Sequence, residues 1–214
     1  MEEENSQWIN IADVMSALMM IFMFLSVTFI YELQNSRETY RSDLNAALHD
    51  EFGKDLERWK AEITPDNIFR FNAPFKSGAS RVPDSFGETL TDFFPRYLRV
   101  LMSPQFVSNI EELRVEGHTS YGWGSLSSRK KIYLNNMRLS QSRAINVLEY
   151  CYNLDNDFVN AAKDWLESRF RSNGMAYSNL IDRSGTVAEN FTRSNINTQD
   201  KGRSRRVEFK AVVE

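Results

Sequence analysis

The sequence predicts an α/β (α+β) domain, a mixed sheet covered by helices, preceded by a single N-terminal transmembrane helix and a helical stalk. Three observations carry that expectation. One apolar run of membrane length, Ile9 to Tyr31, lies near the start of the chain. A charge-rich, proline-free segment with helical apolar spacing follows, Glu32 to Ile63. Beyond Thr64, short alternating stretches interleave with amphipathic ones, as strands and helices do in one layered domain. The expected boundaries are a tail at 1–8, the span at 9–31, the stalk at 32–63 and the domain at 64–214.

As a helix the span is about 34 Å long at 1.5 Å per residue, against a bilayer core of roughly 30 Å. Counted from Val14, its uncharged part is about 27 Å. Trp8 and Tyr31 bracket it as interfacial aromatics do. The leading residues include Glu2, Glu3 and Glu4, and no small-x-small cleavage site follows, so the run reads as a retained anchor and not a signal peptide. Arg37 and Arg41 follow the run and no Lys or Arg precedes it. That bias alone puts the C-terminal part in the cytoplasm.

Asp13 stands alone in this run. A carboxylate near the centre of a spanning helix is unfavourable by roughly 2.5–3.5 kcal/mol on insertion scales. One acid on one helix can take up and release a proton, which is worth about 2.3 kcal/mol per 100 mV of membrane potential. Ser16, Ala17 and Met20 share its helical face, and small residues there let a partner helix approach. A second reading stays open: Asp13 as the N-cap of a helix starting at Val14, its carboxylate in water.

In the stalk, Leu33, Tyr40, Leu44, Leu48, Phe52, Leu56, Trp59 and Ile63 form a helical stripe that either packs on its own domain or pairs with a second copy. Thr64-Pro65-Asp66 breaks it. Asn67 to Phe71 alternates as a strand, and Pro74 to Ser80 is a loop. Pro83 to Met102 is a helix with Phe86, Leu90, Phe93, Phe94, Tyr97, Leu98 and Leu101 inward. Glu112 to Glu116 is a strand ending at Gly117. Leu134 to Tyr152 is a helix with core candidates Leu139, Ala144, Ile145, Leu148 and Tyr152. Phe158 to Phe170 reads as a helix, Met175 to Ile181 as a strand, Asp182 to Gly202 as a polar loop and Arg205 to Val213 as a closing strand.

The formal charge of −3 over 214 residues argues against a nucleic-acid partner. The one cysteine, Cys151, excludes an intramolecular disulfide framework. No G-x-S-x-G or P-loop pattern occurs. Of the two histidines, His118 has no cysteine or acid at metal-ligand spacing and His49 lies in the stalk. No metal, cofactor or enzymatic constellation is therefore expected.

Three stretches carry a resemblance: Val115-Glu116-Gly117-His118-Thr119-Ser120, then Asn136-Met137-Arg138-Leu139-Ser140-Gln141-Ser142-Arg143-Ala144, then Arg205-Arg206-Val207-Glu208. Together they resemble the OmpA-like peptidoglycan-binding domain, over about residues 65 to 214. The span, with Trp8, Ala12-Asp13-Val14-Met15, Met19-Met20 and Phe22, resembles that of MotB-type stator subunits. The short acidic tail, Ser120 where the family has Asp, and the insertion Tyr121-Gly122-Trp123-Gly124 make the chain most similar to the stator-like (ZorB-type) subunits of Zorya anti-phage systems.

The resemblance implies a single-pass bacterial inner-membrane protein with its N-terminus in the cytoplasm and its C-terminal domain in the periplasm, opposite to the charge bias. It implies a dimer inside a ring of multi-span MotA-like (ZorA-like) partners, with Asp13 as proton carrier. It also implies a cleft for the diaminopimelate of peptidoglycan, with Thr119, Ser120, Asn136, Leu139, Arg143 and Arg206 as ligand-binding positions. Arg143 stands where the family binds a carboxylate; Ser120 replaces the acid that receives the ammonium. His118 shapes the ligand loop. A flagellar-type stator and a passive membrane-to-wall tether are the alternatives.

Overall fold

The structure is a computed structural model that describes residues 2–72, 74–124, 128–188 and 192–213, with side chains from Ile11 onward apart from 193–195. The chain divides into two compact units, Met1–Ser42 and Asp43–Glu214.

From Glu2 onward the first unit is helical, part of α1 (Glu2–Phe52). Every side chain from Ile11 to Thr39 is exposed, among them Val14, Met19, Phe24 and Phe29. This helix is long and apolar enough to cross a membrane. The hydroxyls of Ser26 and Thr28 donate to the carbonyls of Phe22 and Phe24, each at 2.8 Å. Both hydroxyl donors are thus satisfied within the helix.

In the second unit a five-stranded sheet runs in the order β1-β2-β5-β3-β4. The strands are β1 (Ala61–Ile63), β2 (Ile68–Asn72), β3 (Ile110–Gly117), β4 (Phe170–Gly174) and β5 (Arg206–Val213). β3 and β4 are parallel and the other pairs antiparallel, so the sheet is mixed, as the sequence predicts. One face is apolar: Phe69 and Phe71 of β2, Val207 and Phe209 of β5, Leu113 and Val115 of β3 are all buried. Helix α3 (Asp84–Leu101) covers it with Phe86, Leu90, Phe93, Phe94, Tyr97, Leu98 and Leu101. Rings meet closely here, Phe69 to Phe93 at 4.5 Å and Phe93 to Tyr97 at 4.9 Å between centroids.

The stalk stripe divides. Leu44, Leu48 and Phe52 are fully buried in the second unit, while Leu33 is 45 % exposed. The helix expected to reach Ile63 ends at Phe52. After Gly53, a short turn of helix α2 (Leu56–Trp59) ends at Lys60 in the left-handed region. Ala61–Ile63 then pairs with Phe69–Phe71 as an edge strand. Tertiary pairing overrides the helical spacing here, and Trp59 still reaches the core beside Phe52, at 6.0 Å. Arg96 of α3 ties this corner, reaching Glu51 Oε1 at 2.6 Å and Asp55 Oδ2 at 2.9 Å.

Helix α4 (Arg129–Tyr152) begins earlier than expected and buries a different face. Its buried residues are Ile132, Asn136, Ser140, Arg143, Ala144, Val147 and Cys151. Of the five expected core residues only Ala144 is among them, and Ile145 is 42 % exposed. The single helix expected over Phe158–Phe170 is two, α5 (Asp157–Ala161) and α6 (Lys163–Arg169). The Asn156 side chain caps α5 through the backbone N–H groups of Phe158 and Val159. Phe170 then opens β4, and Met175–Ile181 is turn and irregular chain. Two short helices, α7 (Arg193–Thr198) and α8 (Lys201–Ser204), lie in the stretch expected to be loop.

Helix α4 lies close to β3 and β4 because glycines face it. A Cβ at Gly117 would sit 2.2 Å from the Ser140 carbonyl oxygen, and one at Gly174 2.6 Å from the Gln141 nitrogen. Gly117→Ala must push α4 off the sheet. It is expected to destabilise the domain by at least the 1–3 kcal/mol typical of overpacking, read as a lower urea midpoint. An unchanged midpoint would contradict this packing.

Candidate functional site

The close approach of α4 to β3 brings the loop after Gly117 over the N-terminal half of the helix. Backbone bonds fix the loop's start: His118 N–H donates to Arg206 O (2.9 Å) and Thr119 N–H to Ala176 O (2.7 Å). Farther along, Tyr121 N–H donates to Gln199 Oε1 (3.0 Å), and Asn136 Nδ2 donates to Gly122 O (3.1 Å). Gly122 has φ +118°, a conformation that side-chain-bearing residues rarely adopt.

The result is a cleft of about 400 Å³ lined by Thr119, Ser120, Asn136, Leu139 and Arg143, with Trp123, Lys201 and Arg205 among the rest. Five of the six ligand-binding positions expected from sequence thus meet at one place. Arg206 does not. It is buried, its Nε 2.6 Å from Glu208 Oε1 and its Nη1 donating to Asn179 O at 2.9 Å. The arginine that lines the cleft is its neighbour Arg205, which lies between α8 and β5. Asp13 belongs to the other unit, where its side chain is exposed.

Arg143 is 1 % exposed and holds the 75–80 loop. Its Nε donates to Ala79 O (2.8 Å), Nη2 to Lys76 O (3.1 Å) and Nη1 to His118 O (3.4 Å). Its guanidinium lies 5.0 Å over the Phe75 ring. Burial, and then the charge of Arg205, push its pKa down to about 10. No carboxylate of the described residues pairs with it. Two polar atoms at the cleft are buried without a hydrogen-bond partner among the described residues, Thr119 Oγ1 and Arg205 Nε. The role of the 75–80 loop was not legible in sequence, which marked Pro74 to Ser80 only as a loop.

Behind the cleft, the second face of the sheet carries charge in register. Glu62, Arg70, Glu208 and Glu116 are successive cross-strand neighbours. Arg70 bridges Glu62 (2.6 Å) and Glu208 (2.7 Å). Glu116 and Glu208 would repel each other, and His118 stands against both, its Nε2 3.3 Å from Glu208 and 3.7 Å from Glu116. These three residues offer ligand atoms within 4.8 Å of one another, a grouping no sequence spacing revealed. Yet Glu208 Oε1 already accepts from two guanidinium groups, and a divalent ion would meet that positive field. The His118 imidazole already fills the space between the two carboxylates, so the cluster reads as a structural network.

No family model matches the chain. It is 34 % identical over 227 residues to the Zorya protein ZorB of Escherichia coli (strain Crooks), covering 99 % of this chain and 90 % of that one. The chain belongs to the ZorB family. Among solved structures, a MotB like protein from Desulfovibrio vulgaris superposes with TM-score 0.52 at 17 % identity, covering 85 % of this chain and 98 % of that one. The OmpA-like domain of FopA1 from Francisella tularensis gives 0.42 at 16 %, covering 72 % and 79 %. The likeness to the MotB like protein is one of fold: the ZorB-family chain carries an OmpA-like mixed sheet behind a long apolar helix.

Proposed function

We propose that this protein is the ion-conducting, wall-anchored subunit of an inner-membrane motor acting in anti-phage defence. Residues 9–31 cross the membrane, Asp13 carries the proton, and the domain after the stalk holds peptidoglycan in the periplasm. Two copies of the helix sit inside a ring of multi-span MotA-like partners of the ZorA type. The protein works by anchoring and ion passage, without enzymatic chemistry. The observation that carries this reading is the assembly of Thr119, Ser120, Asn136, Leu139 and Arg143 around one cleft, in a ZorB-family chain whose apolar run of residues 9–31 carries one acid, Asp13.

In the cleft, Arg143 has five N–H donors and spends three on backbone carbonyls. The two that remain suit a ligand carboxylate, and in a site of low dielectric such a charge-assisted pair is strong. Leu139 supplies an apolar wall, and Asn136 keeps the loop in place.

The test is co-sedimentation of the full chain with purified sacculi. Arg143→Lys keeps the charge and loses the planar fork; it is expected to weaken wall binding about tenfold, about 1.4 kcal/mol, with the circular dichroism spectrum unchanged. Wild-type binding by this variant would remove Arg143 from the site. A reporter fused after Glu214 should be active in the periplasm; a cytoplasmic signal would exclude wall attachment.

A further inference from the structure

We infer that the cleft selects a carboxylate-bearing wall peptide whose nearby amine is acylated, and discriminates against one that carries a free ammonium. This rests on the wall-binding reading above and narrows it to a chemical class. The described lining includes three cations, Arg143, Lys201 and Arg205, and no carboxylate. A ligand carboxylate finds the two N–H groups of Arg143 that no carbonyl takes and the Nε of Arg205, which has no hydrogen-bond partner among the described residues. It also relieves the repulsion between those two arginines, which already depresses the Arg143 pKa beyond what burial does. An ammonium finds the reverse: like charges around it and no anion to receive it.

The rest of the lining is neutral. Thr119 is 3 % exposed, and its hydroxyl has no hydrogen-bond partner among the described residues. Ser120 adds a second hydroxyl beside it. The Asn136 amide nitrogen is committed to Gly122 O and Ile132 O, so only its oxygen remains, an acceptor. Neutral acceptors satisfy an amide N–H without asking for charge, whereas a desolvated ammonium without a counter-ion is strongly disfavoured. When two wall peptides are cross-linked through a side-chain amine, that amine becomes an amide. The favoured class is therefore the cross-linked form.

The experiment titrates the full chain, in detergent, with two soluble disaccharide-peptide fragments that differ at one group. One has a free side-chain amine and the other has that amine acetylated. The acetylated fragment is expected to bind about tenfold more tightly, with the gap shrinking at high salt as charges are screened. Ser120→Asp restores an acid beside the cleft and should reverse the order. Equal or tighter binding of the free amine by the wild type, or an unreversed preference in Ser120→Asp, overturns the selectivity while wall binding stands. Failure to bind either fragment and intact sacculi overturns both.

Discussion

Cells in which Asp13 is replaced by Asn are expected to lose phage protection completely, with the protein still present in the membrane fraction at its normal level. Asn has nearly the same shape and can form similar hydrogen bonds, but it cannot gain or lose a proton. A motor driven by ion flow needs that change of charge at each step. Each proton crossing 100 mV releases about 2.3 kcal/mol, several times thermal energy and enough to bias a conformational step. The residues one turn and two turns along the same face are Ser16, Ala17 and Met20. The first two are small, so a partner helix can close over the acid and shield it from water. The measurement is the efficiency of plating of phage on cells with the complete defence system, paired with an immunoblot of membranes. A passive tether predicts full protection by the variant, and that outcome would sink ion carriage. A flagellar stator predicts loss of swimming in place of loss of protection.

Orientation sets two arguments against each other. Arg37 and Arg41 after the span favour a cytoplasmic C-terminal domain, while wall binding needs the opposite. The bias amounts to two arginines, and a long folded domain crosses the membrane largely regardless of its own charge. The function proposed above therefore outweighs it, and the reporter fusion decides.

What the sequence made legible follows from how each element buries its surface. Helix α3 faces an apolar sheet, so its stripe from Phe86 to Leu101 is apolar; all seven residues expected inward are buried, and Gly87 and Pro95 join them. Strand β5 alternates Val207 and Phe209 with Arg206 and Glu208, which is legible as period two but not as to what the charged face does. Helix α4 defeats the pattern because its buried face is partly polar. Asn136, Ser140 and Arg143 hold the cleft loop, the segment at Ala176 and the 75–80 loop. Apolar spacing then points to Ile145 and Leu148, which lie off the buried face. Motif resemblance, not periodicity, located those three residues. Strand β4, Phe-Arg-Ser-Asn-Gly, has no alternation at all; it exists because β3 offers a parallel edge and Gly174 lets α4 approach. The Glu116, His118 and Glu208 cluster joins residues about 90 positions apart in sequence, and only the β3–β5 register makes them neighbours.

Glu208→Gln is expected to destabilise the domain by about 3–5 kcal/mol, the range for removing one partner of a buried ion pair. Glu208 is 4 % exposed and its Oε1 accepts from both Arg70 Nε (2.7 Å) and Arg206 Nε (2.6 Å). Neutralising it leaves Arg206 buried without a counter-charge and Arg70 with only the half-exposed Glu62. The same geometry fixes the acid response. Burial by itself would raise the Glu208 pKa. The interaction with His118, then the charges of Arg206 and Arg70, outweigh burial and hold the carboxyl well below the ordinary value of 4.5. At Glu116, burial is likewise outweighed by His118, and the pKa is lowered. A carboxyl depressed in the folded state stabilises the fold fully above its unfolded value, and that stabilisation is lost as pH falls towards the folded one. Stability of the wild-type domain should therefore decline as pH drops below about 4.5, as the unfolded chain binds protons that the folded one refuses. Urea midpoints of the full chain in detergent, measured from neutral pH downward, read both effects. Glu208→Gln should start lower and fall less steeply, because one of the depressed carboxyls is gone. Equal slopes in variant and wild type would show that Glu208 is not held ionised by the residues around it.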